Sequence, residues 1–215
     1  MRISSAKAAV KALKVNIIGG GSFGTFLTEL LAPVFDLDDS ATTVILAVPI
    51  SAYDSVAAAH RDKHLVNVCS VQKPSTDFIL KHTNSVTGIH PLFGLRTPED
   101  KRTTIVTREL NLVEKDDKFV ESEREFLSGF AMVSAMTRTD HTGEFFTPDS
   151  HDKLMAKTHV AAVLAAKQMK VFVERAEDIP DDLLPNSFRL MRDFVKTLDD
   201  MPPGTIESIM ANPYY

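Results

Sequence analysis

Tryptophan is absent from this chain of 215 residues, and cysteine occurs once, at Cys69. A single thiol excludes an internal disulfide and any cysteine-rich metal site. At the end of an apolar run it reads as a small buried residue. No apolar stretch approaches the length that crosses a bilayer. Met1 to Lys14 hold basic and small residues rather than the apolar centre of a secretion signal. These lacks predict no membrane partner and a cytoplasmic setting with reduced thiols. Runs of basic residues are missing too, and the formal net charge is −5, which argues against a nucleic-acid partner. Internal repeats and low-complexity tracts do not occur. Glycine is scarce, at nine residues, so its clustering near the start carries information.

The apolar fraction of 44% and charged fraction of 25% are ordinary for a globular chain, long enough for one large domain or two small ones. Short apolar runs with β-branched residues recur at Val15–Ile18, Thr43–Val48, Leu65–Val68, Val86–Ile89, Thr104–Thr107 and Ala131–Met136. Helix-like stretches fall between several of them, at Ser22–Leu31, Ala52–His60, Ser75–His82 and Lys115–Ser128. Alternation of this kind predicts an α/β fold with a mostly parallel, doubly wound, Rossmann-like sheet. After His151 the pattern turns helical. His151–Glu174 reads as one long helix, Asp181–Leu198 as a second and Thr205–Met210 as a short third. The expected organisation is a dinucleotide-binding domain over 1–148 and a small all-helical domain over 149–215.

The first strand-like run ends in Gly19-Gly20-Gly21-Ser22-Phe23-Gly24, spaced G-x-G-x-x-G and followed at once by a helix. Gly19 suits a tight turn, Gly21 a close approach of pyrophosphate to the backbone, and Gly24 tight helix–strand packing. The first N–H groups of the helix, with Ser22 and Phe23 in its first turn, point at an anion. NAD or NADP is the expected cofactor; an ordinary glycine-rich turn is the bland alternative. An acidic residue normally holds the adenosine ribose about twenty residues further on. Only Ala32–Thr42 separates this helix from the next strand, too little for a whole strand and helix. Val34–Leu37 reads as a stub of that strand with Asp36 or Asp38 as the ribose acid, or else Asp36, Asp38 and Asp39 form a solvated loop.

Three clusters follow strand-like runs, where such sheets bind ligands. Val48-Pro49 ends a strand, since proline cannot donate to a ladder; it could cover a nicotinamide ribose or simply lead into a helix. Ser70 and Lys73 follow Cys69: serine could bond a reacting polar group and lysine attract a carboxylate, or they are an N-cap and a solvated charge. His90, before Pro91 at a strand mouth, suits a general base, or makes a structural hydrogen bond. In the helical part, His151 reads first as a satisfied core histidine. Arg189 between Phe188 and Leu190 suggests a partly buried guanidinium seeking a carboxylate. A metal site on His60 with His64, or on His151 with Asp152, lacks a third ligand at usual spacing, so no metal is expected.

Together GGGSFG (19–24), AVPI (47–50), SVQK (70–73), HPLFG (90–94), HDKLMA (151–156) and FRL (188–190) resemble the prephenate/arogenate dehydrogenases of tyrosine biosynthesis. The tail from Ile206 to Pro213 is also similar to that family, and the order is kept along nearly the whole chain. The resemblance implies oxidative decarboxylation of a cyclohexadienyl carboxylate with NAD or NADP. It makes His90 and Ser70 the hydroxyl-binding pair, Arg189 the carboxylate anchor, His151 a pocket wall, Lys73 a further substrate contact, and a homodimer the working form. Three departures stand out: the shortened second strand and helix, Gln72 inserted where the family reads S-V-K, and a shorter helical domain. Another NAD(P)-dependent dehydrogenase and a non-catalytic dinucleotide binder are the alternatives.

Overall fold

In a computed structural model, the chain is described over residues 13–84, 86–94, 96–109, 117–137, 139–141, 146–202 and 204–215. It divides into two compact units, one ending at His151 and the other starting at Asp152.

In the first unit, β1 (Lys14–Ile18), β2 (Asp36–Leu37), β3 (Thr43–Leu46), β4 (His64–Asn67), β5 (Val86–Pro91), β6 (Arg102–Arg108) and β7 (Thr139–His141) form one sheet ordered β2-β1-β3-β4-β5-β6-β7. The first five of these pair in parallel; β6 runs antiparallel to β5, and β7 parallel to β6. The helices are α1 (Ser22–Leu31), α2 (Tyr53–Ala59), α3 (Gln72–Leu80) and α4 (Asp117–Thr137), with the start of α5 (Pro148–Met155). This is the doubly wound, mostly parallel architecture that alternating runs and helices imply.

Strand pleating sorts the core into two layers. Ile45, Val66 and Ile89 face Leu27, Leu31, Phe126 and Phe130 on one side. Val44, Leu46, Leu65 and Val86 face Tyr53, Ala57 and Ile79 on the other. Apolar side chains on both faces explain why the strand runs read as continuous rather than alternating.

One expected strand is absent. Ala131–Met136 lies inside α4, not in the sheet. The buried stripe of that helix runs through Ser122, Glu123, Phe126, Phe130 and Ser134. Alanine and methionine favour that conformation, and a short apolar run alone cannot separate the two. Of the two alternatives for 34–39, a stub strand is present, but as Asp36–Leu37 only.

The helical unit holds the rest of α5, a π-helical turn at Ala156–Val160, α6 (Ala161–Glu174), α7 (Asn186–Asp199) and α8 (Thr205–Met210). The π turn interrupts what the sequence reads as one helix, while Pro180 and Pro185 delay α7 to Asn186. Val160, Val163, Ala166, Leu198 and Ile209 make its core, and Asn212 Nδ2 donates to the Asp152 carbonyl at 2.9 Å. No helix among the described residues is long and apolar enough to cross a membrane.

Phe126 stacks between Phe35 and Phe130, with centroids 5.8 and 6.1 Å away. Phe126→Ala is expected to cost about 3–5 kcal/mol, read from the guanidinium unfolding midpoint. Tyr53 is fully buried and its hydroxyl donates to the Leu46 carbonyl at 2.8 Å. Burial, reinforced by Cys69, holds its phenol well above the ordinary value of 10.0. The unfolded chain therefore loses this proton first, so Tyr53 leaves stability flat below pH ~10 and lowers it above. Tyr53→Phe is expected to lose about 1 kcal/mol at neutral pH but to flatten the alkaline fall of the melting temperature.

Candidate functional site

The glycine turn is the first part of the site. Gly19 has φ +144°, and a Cβ there would sit 2.1 Å from the Ala47 carbonyl oxygen. Gly24 is buried in the first turn of α1, where a Cβ would lie 2.0 Å from the Gly19 oxygen. Substitution at either position forces backbone apart. Over Gly20 and Gly21 nothing lies within 4 Å of such an atom, so the turn is open there. Gly21 caps α1 without a side-chain bond, Ser22 is exposed, and Phe23 is half-buried against Phe26. An open glycine cradle leading into a helix start with unpartnered N–H groups fits an anion such as pyrophosphate. The residues present therefore suit a dinucleotide.

The neighbouring strand end completes that wall. Ala47 N–H donates to Ile18 O at 2.8 Å, which carries the pairing of β1 and β3 up to the turn. Val48 is half-buried, and exposed Pro49 opens a short 3-10 turn.

The acidic candidates lie elsewhere. Asp36 stands opposite Lys14 and Leu37 opposite Val15, at the amino end of β1. The Asp38 carboxylate takes the Lys14 ammonium and the Ser40 N–H, at 2.7 Å for the latter. Both hold it below the usual carboxylate range, the Lys14 bond more strongly.

Beside β3, the β4–α3 turn is held from beneath. Asn67 Oδ1 accepts the Cys69 N–H at 2.9 Å, and Gln72 Nε2 donates to the Cys69 carbonyl at 2.6 Å. Gln72 Oε1 takes the Thr107 hydroxyl at 2.8 Å and Asn67 Nδ2 at 3.2 Å. Both amide side chains are fully buried. They fit because residue 88 is glycine: a Cβ there would meet Thr107 Oγ1 at 1.8 Å and Gln72 Oε1 at 2.2 Å. Half-buried Ser70 follows the clamped Cys69. It is not an N-cap, since Val71 occupies that place. Lys73 lies inside α3 and pairs with Asp77 one turn on. The sequence signal for this clamp was two amides among apolar neighbours, and its partners were not legible.

His90 is a paired residue of β5, opposite Ile105, rather than a loop residue. It is 2% exposed. Its Nδ1 lies 2.8 Å from His151 Nε2, a hydrogen bond between two buried imidazoles. Local chemistry brings His151 there. Phe146 bridges Thr107, its carbonyl accepting the Arg108 N–H at 2.8 Å, so the chain is pinned on β6 beside β5. Thr147 and Ser150 then form a reciprocal capping box, with bonds of 3.0 and 3.1 Å. Pro148 and Asp149 occupy the first turn, as helix starts favour. His151 comes next.

Glycine turn, Ser70 and His90 all lie at the carboxyl end of the parallel strands. Three strand spacings, about 14 Å, separate β1 from β5, a span that an extended dinucleotide covers.

In the helical unit, Arg189 is exposed, not partly buried as its apolar neighbours suggest. Its guanidinium donates to the Asp181 carbonyl at 2.7 Å. The buried stripe of α7 runs through Val195 and Leu198, which turns Leu190, 62% exposed, and Arg189 outward. His64, a weighed metal ligand, is a core residue bonded to Thr43 at 3.3 Å and Thr87 at 2.9 Å. Among the described residues no group of three His, Cys, Asp or Glu could hold a metal ion.

No family model matches the sequence, and no curated protein sequence does. Solved structures do. A structure named as a candidate prephenate dehydrogenase from Corynebacterium glutamicum aligns over 92% of this chain and 74% of its own, at TM-score 0.69 and 15% identity. The A. aeolicus prephenate dehydrogenase in complex with hydroxyphenyl propionate and NAD+ aligns over 94% and 83%, at 0.58 and 14%. Synechocystis arogenate dehydrogenase aligns over 93% and 84%, at 0.53 and 14%. At these identities the likeness establishes the fold: a Rossmann-like sheet followed by a helical part.

Gln72→Leu is expected to strand the Cys69 carbonyl and the Thr107 hydroxyl, while Asn67 Nδ2 keeps Ser75 Oγ at 2.7 Å, at about 1–3 kcal/mol for each group left without a replacement partner. Guanidinium unfolding measures the loss.

Proposed function

We propose that this chain is a nicotinamide-dependent oxidoreductase that oxidises the hydroxyl-bearing carbon of a cyclohexadienyl carboxylate, with loss of carbon dioxide. The observation that carries this reading is the buried imidazole pair, at the same end of the sheet as the open glycine turn. When bound, the dinucleotide, NAD or NADP, supplies the hydride acceptor.

The chain's residues supply the rest. The His90–His151 bond needs one donor and one acceptor. With the proton on His90 Nδ1, His90 Nε2 keeps a lone pair and His151 Nε2 accepts. Nε2 of His90 then takes the substrate hydroxyl proton as hydride departs, and His151 stabilises the resulting imidazolium while fixing its orientation. Ser70 donates to the same oxygen. The bond from ring to carboxyl then breaks, its electrons enter the ring, and carbon dioxide leaves. Arg189 is assigned a second carboxylate, and Gly19, Gly21, Ser22, Phe23, Gly24, Val48 and Pro49 hold the cofactor; no step of this reading calls for a metal. A second copy of the chain as partner, and a cytoplasmic setting, belong to the same reading.

A second reading, a dehydrogenase of the same scaffold acting on a different carboxylate, draws on Lys73. Its ammonium pairs with Asp77 along α3, because Gln72 turns into the sheet ahead of it.

The test mixes purified protein with prephenate or arogenate and NAD or NADP and follows reduced-cofactor absorbance. His90→Asn is expected to lower turnover about 10²–10⁴-fold with nucleotide affinity unchanged. Nucleotide binding without turnover of either substrate would favour the second reading or a non-catalytic role.

A further inference from the structure

We infer that the dinucleotide site of this chain accepts NAD and NADP alike, because the register of β2 on β1 leaves Asp36 and Asp38 well short of the glycine turn. The inference rests on the dinucleotide reading of the glycine turn and deepens it.

Discrimination between the two cofactors is local chemistry. A carboxylate at the end of the second strand accepts hydrogen bonds from the ribose 2′-hydroxyl and repels a 2′-phosphate; a cation in its place does the reverse. Either group works only beside the glycine turn, because the adenosine ribose follows directly from the pyrophosphate.

Here the pairing runs Lys14 to Asp36 and Val15 to Leu37, and the Asp38 N–H closes on the Val15 carbonyl at 3.1 Å. The turn begins at Gly19, five residues beyond Lys14 in β1. At a strand rise of about 3.3 Å per residue, Asp36 falls about 16 Å short of it. Asp38 stands about 10 Å short by the same measure. The chain does not climb further. Ala41 N–H donates to Asp38 O at 3.0 Å, and Thr43 starts β3 opposite Val15, so residues 38 to 42 cross at the amino end of β1.

The obvious cation is spent in the same place. Lys14 pairs with Asp38 at the start of β1, where neither group faces the ribose level. Among the described residues of this loop, nothing rewards a 2′-hydroxyl and nothing attracts a 2′-phosphate. Affinity then comes from the parts the two cofactors share: pyrophosphate on the glycine turn, and the nicotinamide half near Val48 and Pro49.

Fluorescence titration of the full chain with NADH and NADPH, at one fixed salt concentration, tests this without turnover. The two dissociation constants are expected to agree within about threefold. Asp36→Ala is expected to leave NADH affinity within the same margin. A preference of about tenfold or more for either nucleotide, or a comparable loss of NADH affinity in Asp36→Ala, overturns the inference and leaves the dinucleotide reading intact. Absence of binding by both overturns that reading, and the inference with it.

Discussion

The contact of Gly19 and Gly24 with neighbouring backbone sets the geometry on which the site depends. Ala47 O and Gly19 O occupy the space that side chains at 19 and 24 would need. With no Cβ at either position, the end of β1 lies against the end of β3, and α1 starts directly over the turn. The helix dipole and free N–H groups then face outward at the carboxyl end of the sheet. Parallel pairing through β3, β4 and β5 carries that end across to Ser70 and His90. The open glycine turn and the imidazole are thus placed by one sheet.

Several buried polar groups in this unit are matched in sets. Asn67, Gln72 and Thr107 satisfy one another and both backbone groups of Cys69. Thr87 bonds His64 and donates to Glu123 at 3.0 Å, and Arg108 lies 3.4 Å from the same carboxylate. Such sets are costly when broken and fix one arrangement when whole. They tie β4, β5 and β6 together.

Much of this was legible in the sequence, for identifiable reasons. The strand-to-helix alternation and the glycine spacing are local patterns with local causes, whereas the helix read from His151 in fact starts at Pro148, its Thr147–Ser150 cap having gone unread. Ala131–Met136 was misread as a strand, because an apolar run has no period of its own; the stripe of Phe126 and Phe130 upstream settles it as helix. Arg189 looked buried between Phe188 and Leu190, yet adjacent helical residues point about 100° apart. The meeting of His90 with His151 spans 61 positions and depends on Phe146 joining β6, which no short-range signal announces. The register of β2 is likewise a pairing fact, invisible in Asp36, Asp38 and Asp39 themselves.

Cys69 has both backbone groups held by buried side chains, its amide by Asn67 and its carbonyl by Gln72. The residue is 8% exposed, and its thiol is buried while that grip lasts. A thiol in this state reacts with a bulky labelling reagent only during transient local opening. The chain therefore carries a built-in clock for the stretch that presents Ser70, and its single cysteine makes the reading unambiguous.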